Sequence, residues 1–115
     1  MKILVIVNHS PWGSSLGMAA LRLVVAMPQA GLEVAAVYFR GEGVYQSLAG
    51  RAGDAATPAL HARWVELAES QRFSLLLCRS AAQRRLSDRP PAHFREAGLA
   101  EVLELANSCD RVLTL

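Results

Sequence analysis

Hydrophobic positions along this chain fall into two rhythms. Residues 3–7, 32–39 and 73–77 are short apolar runs, and 111–115 is a shorter one at the end of the sequence. Runs of β-type residues without alternation are what strands covered on both faces look like. Between them the spacing becomes helical. Met18, Leu21, Val24 and Val25 predict an amphipathic helix from Ser15 to about Met27, with Ser14 or Ser15 to cap it, and Pro28 and Gly31 to end it. Leu60, Trp64, Leu67 and Ala68 place a second helix over about 59–70. The Ala-rich stretch from Ser80 to Arg85 reads as a third, and 98–108 as a fourth that buries Leu99, Val102, Leu103 and Ala106. Residues 40–48 leave the second strand as a loop or short helical turn, and Pro90-Pro91 interrupt the chain before the last helix.

Four strands alternating with helices predict a parallel sheet with right-handed crossovers, a three-layer α/β/α domain. A sheet this small leaves an edge strand to protect, and oligomerisation is one way to cover it. The 115 residues suffice for one domain over 1–115 and one core, not two. The composition, 52% hydrophobic and 19% charged, is that of a globular protein with apolar surface to spare. A net charge of +2 argues for neither nucleic acid nor an anionic membrane as partner. Only five apolar residues precede Asn8, too few for a signal-peptide core or a membrane span, so a cytoplasmic protein is expected. There Cys78 and Cys109 remain thiols.

Cys78 is the residue with chemistry to offer. It lies where the third strand meets the third helix, and ligands in open α/β sheets collect at the carboxyl ends of strands. A helix N-terminus favours a thiolate, and Arg79 adds a cation beside it. Two readings fit this position: a reactive thiol, or a small hydrophobe packed in the core. The loop 8–15 holds Trp12 and Ser14 but only one Gly and no Lys, so it is not a phosphate-binding loop of known pattern. Glu42 and Tyr45 follow the second strand on the same rim as Cys78. Cys109 enters the last strand from the opposite rim. No Cys/His spacing resembles a metal site, and no cofactor is expected.

Three segments taken together carry a resemblance. Phe39-Arg-Gly-Glu-Gly-Val-Tyr45, Leu77-Cys-Arg-Ser-Ala-Ala-Gln-Arg-Arg85 and Gly98-Leu-Ala-Glu-Val…Ser108-Cys-Asp-Arg-Val112 occur in that order, and Trp12-Gly-Ser14 forms an aromatic–Gly–Ser turn after the first strand. In these the chain resembles the DsrE family of small sulfur-relay proteins, its TusD- and DsrE-type subunits above all. The resemblance implies a DsrE-like domain of flavodoxin-like winding. It also implies a cytoplasmic persulfide-carrying sulfurtransferase, with Cys78 as nucleophile and Trp12, Ser14, Glu42, Tyr45 and Arg79 as candidate rim contacts. The implied partners are a TusA-like sulfur donor, a TusE/DsrC-like acceptor and further subunits, like or unlike, in tRNA 2-thiouridine synthesis or intracellular sulfur oxidation. A reading from another class is an assembly or small-ligand-binding subunit of the same fold in which Cys78 is only structural.

Overall fold

The computed structural model describes residues 1–12, 15–48, 60–86 and 90–115. The order is β1 (Lys2–Val7), α1 (Leu16–Ala26), β2 (Glu33–Phe39), α2 (Leu60–Gln71), β3 (Ser74–Cys78), α3 (Arg79–Arg85), β4 (Phe94–Ala97), α4 (Leu99–Ser108) and β5 (Arg111–Thr114). A 3-10 turn follows α1 (Pro28–Ala30) and a longer 3-10 segment follows β2 (Gly41–Ser47). The sheet has five parallel strands in the order β4-β3-β2-β1-β5. This is one strand more than the apolar runs predict. Phe94–Ala97 reads Phe-Arg-Glu-Ala, with polar residues in its middle; an edge strand has one neighbour and tolerates them.

From β1 to β4 the chain steps one strand at a time in one direction, then returns past β1 to lay down β5. A right-handed crossover running the other way places its helix on the other face. So α1, α2 and α3 share one face, where Leu21, Val24, Leu60, Trp64, Ala81 and Ala82 join the larger core cluster. Among the described residues the other face is left to α4 alone, over Leu4, Ala36, Tyr38, Leu76 and Ala97.

That asymmetry corrects the expected burial of α4. Five strands about 4.8 Å apart make a face about 19 Å wide, too wide for one helix of about 10 Å diameter to cover. Val102 is buried and Leu105 and Ala106 half-buried, whereas Leu99 and Leu103 remain 71% and 56% exposed. On α1, likewise, Val25 faces solvent while Leu21 and Val24 are buried. Ser15 occupies the N-cap of α1 without a side-chain cap bond, and Ser14 lies outside the described residues. At the other end Gly31, at φ 78°, takes the left-handed turn that stops the segment, an arrangement Gly adopts without strain.

The larger core is organised by Trp64, fully buried and edge-on to Phe39, with ring centroids 5.4 Å apart. Its indole N–H donates to Gln46 Oε1 at 2.7 Å, and Gln46 Nε2 donates to the His9 carbonyl at 2.7 Å. One buried side chain thus joins α2, the turn after β2 and the loop after β1. Replacing Gln46 by Leu leaves the indole N–H and the His9 carbonyl without these partners. Chemical denaturation should report a loss of about 2 kcal/mol, the usual cost of orphaned buried polar groups. The backbone of that turn also presses on β1: a side chain at Gly43 would collide with the Val7 carbonyl, so only glycine lets the two segments meet.

Candidate active site

β3 ends at Cys78, which is also the N-cap of α3, with φ −59° and ψ 119°. The change from strand to helix within one residue has a plain cause. Leu75–Leu77 are buried and paired on both sides, whereas Arg79-Ser-Ala-Ala-Gln offers good helix formers and no β-branched residue. Cys78 is half-buried, a free thiol on the α4 face of the sheet.

Burial, two hydroxyls and two amides act on its sulfur. Burial alone pushes the Cys78 thiol up. Hydrogen bonds from the Ser80 and Tyr38 hydroxyls and from the Ala81 and Ser80 amides outweigh that and hold it below its usual value. Ser80 Oγ lies 3.5 Å from the sulfur. Tyr38 is raised in turn, by its own burial first and then by its bond to Cys78 and the charge there, so it remains a neutral O–H donor throughout the neutral range. The two amides come from the first turn of α3, as the sequence predicts. Tyr38 does not follow from the sequence, because its role depends on β2 lying beside β3 and presenting the same face. In register Tyr38 pairs with Leu76, two residues before Cys78, so both point to the α4 side. The one legible signal is the tyrosine near the end of an otherwise aliphatic strand.

The thiol opens on a cavity of about 730 Å³ between the sheet and α4. Its floor and roof are apolar (Leu4, Ile6, Val102, Ala106, Val112), and its polar groups gather at the Cys78 end. Arg79 lines that end. Rather than facing the sulfur as the sequence suggests, its Nε lies 4.0 Å from Glu96 of β4, and its guanidinium rests against Gly98. The other rim candidates form a separate group. Trp12 and Tyr45 pair with centroids 5.3 Å apart, and Arg85 lies over the Tyr45 ring at 5.8 Å. This group adjoins the far end of α3, about 10 Å along a seven-residue helix from Cys78, on the same rim of the sheet. None of Trp12, Glu42 and Tyr45 lines the cavity, and Glu42 is exposed. Cys109 ends α4 at the opposite rim, next to Asp110, whose carboxylate accepts the Lys2 amide at 2.7 Å.

With fold and site in view, comparison with known proteins is informative. The profile of the DsrE/DsrF-like family matches residues 1–115. A protein of Allochromatium vinosum named "Putative sulfurtransferase DsrE" is 28% identical over 126 residues, covering 98% of this chain and 97% of that protein. The crystal structure of the ychN protein from E. coli superposes with a TM-score of 0.79 at 23% identity, over 99% of this chain and 98% of the other. That likeness establishes a shared fold.

Proposed function

This chain belongs to the DsrE/DsrF-like family, whose part is in sulfur relay, and on that premise we propose that Cys78 carries sulfane sulfur as a persulfide and hands it to the thiol of a partner protein. One observation carries the reading: a half-buried thiol where a strand meets a helix, 3.5 Å from the Ser80 hydroxyl, held below its usual pKa and open to an adjoining cavity. A low-pKa, accessible thiolate is what sulfur transfer demands and what structural packing does not.

The Cys78 thiolate attacks the outer sulfur of a donor persulfide R–S–SH. The donor S–S bond breaks, R–S⁻ leaves with the electron pair, and Cys78–S–SH is formed. An acceptor thiolate then attacks that outer sulfur, and Cys78 departs as the thiolate that Tyr38, Ser80 and the α3 amides stabilise. Neither step is a net oxidation, and the same surroundings of the sulfur serve both. In this reading the donor is TusA-like and the acceptor TusE/DsrC-like. The chain works in the cytoplasm as one subunit of an oligomer, without touching nucleic acid, in tRNA thiolation or sulfur oxidation alike. Among the described residues no helix is long and apolar enough to cross a membrane.

The test is intact-protein mass spectrometry. Incubated with a persulfide donor, the protein should gain the mass of one sulfur atom and lose it again when a thiol acceptor is added. A protein that never gains it is the packed, non-catalytic subunit.

A further inference from the structure

Building on Cys78 as the sulfur carrier, we infer that the cavity beneath α4 is a binding site for a low-molecular-weight persulfide with a carboxylate and an apolar body. Sulfur can then enter Cys78 directly, without a protein donor. The argument starts from proportion. A protein donor needs only to bring one sulfur to the rim, and the exposed carboxyl end of β3 allows that without any cavity. Yet behind the thiol lies a cavity of about 730 Å³, within the range of small-molecule sites. It exists because, among the described residues, a single helix lies over a face too wide for it to cover, so it belongs to the fold and does not depend on a side-chain rotamer.

The lining is sorted by polarity. Away from the sulfur, Ile6, Val102, Ala106 and Val112 present only hydrocarbon. Arg40, just after β2, and Arg79, at the start of α3, also line the cavity. Arg79 is pinned by Glu96, whereas Arg40 forms no ion pair among the described residues, and its charge is felt at the Tyr38 hydroxyl. A cation lacking an ionic partner at the mouth of an apolar cavity complements an anion attached to an apolar body, the polarity of an N-acylated cysteine persulfide. Inorganic polysulfide has no such body and would leave the cavity empty.

The chemistry is that of the relay itself. The Cys78 thiolate takes the outer sulfur of R–S–SH, the S–S bond breaks, and R–S⁻ departs with its electron pair. The proton stays on the transferred sulfur. Charge is unchanged and no oxidant is consumed.

N-benzoylcysteine persulfide is the probe, and its methyl ester and inorganic polysulfide are the comparisons. Loading of Cys78 by the acid should saturate. Arg40→Gln, or the ester with the wild-type protein, should each raise the half-saturating concentration about tenfold, and the two together little more, as for one lost charge contact. Ala106→Trp, which fills the apolar end, should raise it too. Both variants should keep the wild-type circular dichroism and unfolding midpoint, which shows that they fold, and polysulfide should still load Cys78 in each. Loading by the acid that is unsaturable and equal in all three proteins, with polysulfide still loading Cys78, overturns the binding site and leaves the relay intact. Protection of Cys78 that rises with protein concentration places a second copy over the cavity and overturns it as well. If no donor loads Cys78, the relay reading itself has failed.

Discussion

Replacing Cys78 by Ser should abolish sulfur loading outright, and replacing Cys109 should leave it intact. A serine hydroxyl at the same place keeps the shape of the site but is not ionised near neutrality and forms no persulfide. Cys109 has the right atom in the wrong place. It closes α4 at the opposite rim, half-buried against the smaller core, and does not line the cavity that Cys78 opens on. The two sulfurs are separated by the length of the strands, about 16 Å for the five residues of β3, too far for sulfur to pass between them or for a disulfide to form. Mass spectrometry of the two variants after exposure to a persulfide donor decides the matter. Full loading of Cys78→Ser, or loading confined to Cys109, would refute the proposed relay.

Tyr38→Phe should slow alkylation of Cys78 at neutral pH by roughly three- to tenfold, yet speed it at high pH. A hydrogen bond to a charged group contributes about 1.5–3 kcal/mol, so deleting the hydroxyl raises the thiol pKa and depletes the thiolate at neutral pH. The thiolate that remains is more basic and intrinsically more nucleophilic, which returns about half of the loss on a logarithmic scale. Above both pKa values only the second effect survives, so the two pH–rate profiles must cross. Stability carries the same signature. In the native wild-type protein the thiol ionises at lower pH than in the unfolded chain. The unfolded chain therefore binds more protons between the two values, and stability rises with pH across that interval. Tyr38→Phe should flatten the rise. Parallel profiles that never cross would mean that Tyr38 does not touch the thiol in solution.

What the sequence made legible, and what it hid, follows from the range of the interactions involved. The buried strands appear as apolar runs because both faces are covered, and Cys78 stands out because strand and helix preferences change within one residue. β4 escapes because Arg95 and Glu96 interrupt it, and with it goes the carboxylate that engages Arg79. A reading blind to β4 therefore turns Arg79 toward the thiolate. Tyr38 is hidden for a related reason: which strand lies beside β3 is a property of the whole sheet. The helical period of α4 is correct, but period alone does not say how wide a surface the helix must cover, and so Leu99 and Leu103 look buried.

The pairing of β1 with β5 has a consequence for how the chain becomes folded. Lys2 and Asp110 are 108 residues apart, and the strands beginning beside them are neighbours in the sheet. Every other strand pair joins consecutive strands, whereas this one closes nearly the whole sequence into a loop. Its entropy must be paid before any of its contacts form. On a chain made from the amino end, β1 is made first and completed last. Until β5 arrives, its outer edge carries free amides and carbonyls beside Ile3–Val7, an apolar strand open to another chain. Slow synthesis through the final third of the sequence should thus lower soluble yield more than slow synthesis through the first, and loss of residues 111–115 should leave that edge open permanently.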